Sequence, residues 1–554
     1  TIEQIWDANG RSVAELSRRP LPEGDSDDDD DSPGGASADT ARRNVEWMPT
    51  GDAIYYLQMD AAPARSADQE EGGSQQRQRA RDRLYIWTAP FTAESRRAVI
   101  DNANRMSQVA FTADAKTVFV AETASGAAHV FAVDLADPTK RHTITRVRGL
   151  TPSLGLGGGG FGGGGGRTNT ADSATFYQNP GTLVSQRAGN GSPYILTTGD
   201  GRFAFLKGVQ YYRTYADSAP QPFLDRVEIR TGEKTRLFTS ARDQFEEVVA
   251  ALDPNFAVAI VSRESPTDMT DYFRRDMASG ALTQLTNNKD YSPEITNAPK
   301  QRIPVTRADG YRFWVTVTLP NGWQPGTRLP ALFWFYPREY TDQSGYDRTL
   351  RTFNRNQFRD LGPRSMVYFV TQGYAVVEPD APIFGESGRM NDNYIPDLRN
   401  NLAAVIDELD RRGIIDRQRL GLGGHSYGAF STVNAMVNTP FFKAGIAGDG
   451  NYNRTLTPNA FQSERRVLWD ARETYLSMSP FLYADRLTGA LLLYHNIEDQ
   501  NVGTDPINSI RLFHALQGMG KTAALYMHPY EDHGQATRET NLDLWARWVA
   551  WPDK

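Results

Sequence analysis

The pattern of apolar and polar positions changes character near residue 295. Before it, short runs alternate apolar and polar residues and are broken by Gly, Pro, Asn and Asp, as half-buried strands joined by tight turns do. Residues 45–59 read as a strand, a turn at Pro49-Thr50-Gly51-Asp52 and a second strand, with 83–88 following. Residues 109–121 repeat the pattern and 128–134 follow; 194–206 with 226–238, and 247–261 with 272–285, give two more cycles. A period of roughly 45–50 residues in an all-β region predicts propeller blades. Residues 1–16 read as the outer strands of a blade whose inner strands are missing, so four blades and a fragment are expected. A propeller has to close, and the short count suggests that an N-terminal portion has been lost by processing or by choice of boundary.

After residue 295 the grammar alternates. Residues 312–319, 331–336 and 375–378 read as strands, 401–411 as a helix, 420–423 as a short strand and 429–437 as a helix. Then come a strand at 490–494, a helix at 507–516, a strand at 523–527 and a final helix at 540–551. This alternation predicts an α/β domain on a doubly wound, mostly parallel sheet. The expected division is a β-propeller over 1–295 and an α/β domain over 296–554.

Composition changes this picture little. The chain of 554 residues is 39% apolar and carries a net charge of -7. No basic stripe suggests nucleic acid and no apolar run is long enough to cross a membrane, so neither partner is expected. With no cysteine, disulfides, thiol catalysis and thiolate metal sites are excluded. Asp25–Asp31 as an acidic run and a glycine run over 155–166 lack the apolar content to order themselves, so exposed, disordered loops are expected near 22–42 and 152–170. The acidic run lacks the spaced ligands and glycine of a calcium loop, and the glycine run lacks the Gly-Lys-Ser/Thr of a phosphate loop. The first residue is Thr1 and no signal peptide is visible; removal of a leader favours a periplasmic or secreted protein over a cytoplasmic one.

The chemistry enters with Gly424-His425-Ser426-Tyr427-Gly428. Between a strand and a helix, Gly-x-Ser-x-Gly lets the two approach closely while the serine takes a strained turn conformation that exposes its hydroxyl. The pentapeptide alone is common in a glycine-rich chain; here the strand before it and the helix after it fit. Serine needs a base, and this fold orders Ser, then Asp or Glu, then His. Of seven histidines, His533 lies in a loop after the last strand, on the carboxyl edge of the sheet, and is preferred to His528 at that strand's end. For the acid, the loop after 490–494 offers Asp499, with Glu498 and Asp505 behind it; Asp505 precedes Pro506 and a helix and suits a cap. The backbone N–H of Tyr427 supplies one oxyanion donor, and the hydroxyl of Tyr336, at the end of an earlier strand where Pro337 has no N–H, supplies the second.

The second half resembles the prolyl oligopeptidase family of serine peptidases, and within it the glutamyl endopeptidase group of bacteria and plastids, which cleave after glutamate. The resemblance rests on Gly423-Gly424-His425-Ser426-Tyr427-Gly428-Ala429-Phe430, Tyr452-Asn453-Arg454-Thr455-Leu456-Thr457-Pro458 and Phe461-Gln462-Ser463-Glu464. Met478-Ser479-Pro480-Phe481, Glu498-Asp499 and Pro529-Tyr530-Glu531-Asp532-His533-Gly534 extend it over about residues 300–550, with Arg43-Asn44-Val45-Glu46-Trp47 in the first half. It implies a catalytic α/β-hydrolase domain over 296–554, the triad Ser426, Asp499 and His533, an oxyanion tyrosine at Tyr336, no metal or cofactor, and a propeller that restricts access to peptides. That family's propeller normally has seven blades, more than this chain supplies. A glutamate side chain needs a cationic partner, ideally an arginine fork: Arg454 first, with Arg338 and Arg389 as alternatives. Peptides are the expected partners, and a homo-oligomer stays open. The alternative is an esterase, acylaminoacyl-peptidase or dipeptidyl-peptidase-like activity with the same triad.

Overall fold

The computed structural model describes residues 2–18, 40–60, 81–156, 177–213, 218–359 and 361–552. The acidic run and the glycine run from 157 onward lie outside the described residues. Two compact units result: Thr1–Ser265, Met269–Asn288 and Arg351–Gln357 form one, and Pro266–Asp268, Lys289–Leu350 and Phe358–Lys554 the other.

The first unit is a β-propeller. Among the described residues it holds four antiparallel sheets of four strands each, plus a leading hairpin of Ile2–Trp6 and Ser12–Arg18. The first sheet runs Arg43–Trp47, Ala53–Met59, Asp82–Thr88 and Arg96–Asn102; the second runs Met106–Phe111, Thr117–Ala124, Ala127–Asp134 and Arg141–Arg148. Apolar side chains of successive sheets share cores: Tyr55 and Leu57 of the first meet Phe111 and Val120 of the second. Asp82 joins the same two sheets, accepting from Arg43 Nη2 at 2.6 Å and from the Met106 N–H at 2.8 Å. The third sheet departs from the regular cycle. Its first edge strand is only Thr182–Leu183, and a separate hairpin of Ser185–Arg187 and Pro193–Ile195 intervenes before Phe203–Gln210.

The described residues that border the two expected loops are packed. Arg42 Nη1 donates to the carbonyls of Glu15 and Leu16 at 2.8 and 3.0 Å, and its guanidinium lies over Trp87, so the chain is packed before the first sheet begins. Leu154 is fully buried and its N–H donates to Gln108 Oε1 at 2.7 Å. Leu154, with Leu156 packed beside it, docks 152–156 into the core between the second and third sheets.

The second unit is built on one sheet of eight strands: β1 Lys300–Thr306, β2 Arg312–Thr318, β3 Leu329–Trp334, β4 Ala375–Pro379, β5 Ile415–His425, β6 Ala444–Gly448, β7 Ala490–Asn496 and β8 Ala523–His528. Their spatial order is β1-β2-β4-β3-β5-β6-β7-β8, with β2 antiparallel to β1 and β4 and the remaining pairs parallel. Its four longest helices are α1 Tyr394–Arg411, α2 Tyr427–Asn438, α3 Ile507–Gly518 and α4 Arg538–Ala550. The central strands are buried on both faces, as parallel strands under helices must be, so β7 reads as the unbroken apolar run ALLLY. Under α4, Trp548 is fully buried against Trp334 and Tyr494, with ring centroids 6.0 and 5.6 Å away. The carboxyl ends of β3, β5, β6, β7 and β8 lie along one edge, where ligands of open α/β sheets bind.

Candidate active site

Ser426 sits between the end of β5 and the start of α2 with φ +58°, a conformation rare for a residue with a Cβ. The flanking glycines make it possible. A Cβ at 424 would lie 2.3 Å from the carbonyl carbon of Gly428, and one at 428 would lie 2.6 Å from the carbonyl oxygen of Phe335. The Ser426 N–H donates to the carbonyl of Gly448 at 2.8 Å, which ties the turn to the end of β6.

The structure brings the three residues of the sequence-derived triad together. His533 Nε2 is 2.9 Å from Ser426 Oγ, and His533 Nδ1 is 2.9 Å from Asp499 Oδ2. Thr504 Oγ1 donates to the same Asp499 oxygen at 3.0 Å. On its other side Asp499 faces His495 Nε2 at 3.3 Å, a ring that is fully buried and also bonded to the carbonyl of Thr504 at 2.7 Å. Burial works to raise the Asp499 carboxyl, but hydrogen bonds from His495 and His533 outweigh it and hold the group well below the ordinary carboxylate range. Burial likewise works against the His533 cation, and the bond and charge of Asp499 reverse it, so this imidazole is more basic than usual. An imidazole that accepts a proton readily, hydrogen-bonded to a half-buried serine hydroxyl, is equipped to activate that hydroxyl as a nucleophile.

The other residues weighed for these roles stand elsewhere. His528 is buried 3.6 Å from Asp543. Asp505 accepts from the Ile507 N–H at 2.8 Å at the start of α3, a cap. His425 is displaced by burial, and by the field of Arg364, to a pKa of about 3 and is a neutral ring.

Tyr427 opens α2, where the first N–H groups have no intrahelical acceptor. The ring of Tyr336 lies 5.7 Å from that of Tyr427, and its hydroxyl accepts from Gln462 Nε2 at 3.1 Å, which leaves its own O–H free to donate outward. Gln462 falls within one of the motifs read from the sequence, but without a role there.

The three candidate arginines separate by burial: Arg454 is 4% exposed, whereas Arg338 and Arg389 are exposed side chains. The Arg454 guanidinium is packed by Phe461 and Phe430, with ring centroids at 4.1 and 4.2 Å, and lies 5.5 Å from that of Tyr427. Its Nε has no hydrogen-bond partner, and among the described residues no carboxylate forms an ion pair with it. A buried arginine without its own counter-ion is costly, and stacking on aromatic faces recovers only part of that cost. A carboxylate does share the neighbourhood. Glu339 accepts from the Tyr427 hydroxyl at 2.7 Å and from Ser463 Oγ at 3.2 Å, and burial raises its pKa above the ordinary value. Glu339 carries no local signal, because both its partners lie far along the chain.

Residues 363–554 match the Prolyl oligopeptidase family. The chain is 35% identical over 404 residues to the probable glutamyl endopeptidase, chloroplastic, of Arabidopsis thaliana, covering 68% of this chain and 41% of that protein. It is 34% identical over 402 residues to the protein of the same name from Oryza sativa subsp. japonica, covering 68% of this chain and 42% of that protein. This chain therefore spans about two-fifths of the length of these curated relatives. Among solved structures, the crystal structure of Porphyromonas gingivalis dipeptidyl peptidase 4 aligns with a TM-score of 0.49 at 15% identity, covering 91% of this chain and 73% of that one.

Proposed function

Since residues 363–554 form a prolyl oligopeptidase family domain, we propose that this protein is a serine peptidase that cleaves peptides through an acyl-enzyme, with a preference for glutamate at the residue whose carbonyl is attacked. The observation that carries the first part is the chain of contacts Ser426 Oγ, His533 Nε2, His533 Nδ1 and Asp499 Oδ2, at 2.9 Å in both links. In this reading Ser426 Oγ attacks the scissile carbonyl as His533 takes its proton. Asp499 holds the imidazole with Nδ1 protonated and stabilises the cation that forms. The Tyr427 N–H and the Tyr336 hydroxyl receive the charge on the carbonyl oxygen. His533 returns the proton to the leaving amine, and a water molecule, deprotonated by the same imidazole, releases the acyl group.

The glutamate preference is supported by Arg454, a buried cation near the nucleophile helix and without an ion-pair partner among the described residues, and by the names of the relatives. A planar guanidinium can take a carboxylate through two parallel bonds, which a neutral amide cannot match. The test is cleavage-site mapping on a peptide library, with a fluorophosphonate label to find the nucleophile. Cuts after Glu, label on Ser426 and loss of both in Ser426→Ala support the proposal. Undiminished cleavage by Ser426→Ala refutes the nucleophile, and cuts indifferent to Glu refute the preference alone. Release of amino-terminal dipeptides or turnover of short acyl esters in place of internal cleavage would favour the alternative activities with the same triad.

A further inference from the structure

Behind the triad lies a second carboxylate that the mechanism does not use. Asp449 is fully buried, follows β6 directly and takes a left-handed backbone conformation with φ +48°. Its neighbour Gly448 already holds the Ser426 N–H through its carbonyl, and the Asp449 N–H donates to the carbonyl of Tyr494 at 3.1 Å. The carboxylate then grips one residue twice. Asn496 donates its backbone N–H to Asp449 Oδ1 at 2.8 Å and its side-chain Nδ2 to Oδ2 at 2.9 Å.

Asn496 passes that grip on. Its Nδ2 also donates to the carbonyl of Asp532, the residue before His533, at 2.8 Å. Its own carbonyl accepts from the Asp499 N–H at 3.3 Å. The end of β6 thus connects to the nucleophile turn through Gly448, and through Asn496 to both the acid loop and the base loop. The remaining titratable groups around Asp449 are His425 Nδ1 at 3.4 Å, His495 Nε2 at 3.9 Å, His533, Asp499, Tyr452 and Tyr494. Burial, the leading cause, raises the Asp449 carboxyl to about 6. A carboxyl of that pKa is charged at neutral pH, so both its oxygens accept there.

We propose that Asp449 is a positioning residue of the triad, acting through Asn496 to fix the Asp532 carbonyl and hence the ring of His533 against Ser426. The inference rests on the serine-peptidase reading above. Asp449 touches neither substrate nor Ser426 Oγ, so its effect should fall on the rate of the chemical step and not on peptide binding.

The test compares kcat, KM and fluorophosphonate labelling in folded variants. Asp449→Asn presents an amide N–H to Asn496 and forces the 496 side chain to turn away from the Asp532 carbonyl. A misplacement of the base loop by about 1 Å predicts a kcat lower by ~10²-fold, with KM within about two-fold and labelling slowed in proportion. Combining Asp449→Asn with Asn496→Asp restores the pair with donor and acceptor exchanged, but position 496 then has no side-chain N–H for Asp532. That variant is expected to recover the thermal midpoint and not kcat. A kcat within about two-fold of wild type in Asp449→Asn, a loss confined to KM, or recovery of kcat in the combined variant each overturns the proposal. If Asp449→Asn does not fold, Asn496→Ala decides. It keeps the backbone bond to Asp449 and removes the reach to Asp532, and the same kcat loss is expected; wild-type kcat overturns the proposal. Labelling of the wild type separates the two readings. An unlabelled wild type sinks the serine-peptidase reading and this inference with it, whereas a labelled wild type with unimpaired variants sinks this inference alone.

Discussion

Nδ1 of His533 and Oδ2 of Asp499 lie 2.9 Å apart, and Thr504 Oγ1 reaches both partners, at 3.1 and 3.0 Å. Asp499 therefore does two things to the imidazole: it fixes which nitrogen carries the proton, and it raises the affinity for a second proton above that of a free histidine. The base works only when neutral, so activity should fall as pH drops through a value above the ordinary 6.5. In Asp499→Asn that support is gone: kcat should fall ~10⁴-fold, and the acid limb of the residual kcat/KM profile should move to lower pH. A wild-type limb centred below 6.5 would contradict this account of the site.

Arg454→Gln keeps length and polarity and removes the charge. Matched peptides carrying Glu or Gln at the cleaved position should lose their difference in kcat/KM, by about 10–100-fold for a charged hydrogen-bonded contact. The Gln peptide should be cleaved nearly as before. Equal losses for both peptides would mean that the arginine supports the fold and does not read the substrate.

Tyr336→Phe removes a single hydroxyl from a ring already packed beside Tyr427. If that hydroxyl meets the oxyanion, kcat should drop ~10²-fold with little change in KM, because the bond forms only as charge develops. A variant of normal kcat would leave the Tyr427 N–H without this partner and send the search to another donor.

Trp548 anchors α4 against β3 and β7 through Trp334 and Tyr494. Trp548→Ala should destabilise the α/β unit by about 3–5 kcal/mol, as large-to-small changes of buried aromatics do, and Trp548→Phe by clearly less. Urea unfolding followed by far-UV circular dichroism checks this, read on the transition of that unit because two units need not unfold together.

Much of the α/β unit was legible in the sequence because its strands are buried apolar runs, α1 is amphipathic and the apolar α2 follows directly on the serine turn. The juxtaposition of Ser426, His533 and Asp499 was legible because all three stand at or just after strand ends: a Gly-x-Ser-x-Gly turn is a local signal, and chain order narrows the other two. What escaped was set by distant contacts. Strand β6, the segment AGIAG, lacks β-branched weight, since Met436 and Tyr494 fill the space beside it. Helix α1 starts at Tyr394, well before 401, with Pro396 in its first turn, where proline is tolerated. Asp449 and His495 look like ordinary strand-end polar residues until the sheet aligns their strands, and Asp449 and its partner Asn496 are 47 positions apart. The irregular third sheet was missed for a related reason: a strand of two residues carries no period.

The order of parts in the sheet also sets a sequence of events in synthesis. The nucleophile belongs to β5 in the middle of the sheet, whereas its base follows β8 at the edge, 107 positions later. A chain still emerging from the ribosome therefore carries Ser426 well before His533, the imidazole that stands against its hydroxyl. On the proposed mechanism, then, the acyl transfer has to wait for the last strand of the sheet and the loop that follows it.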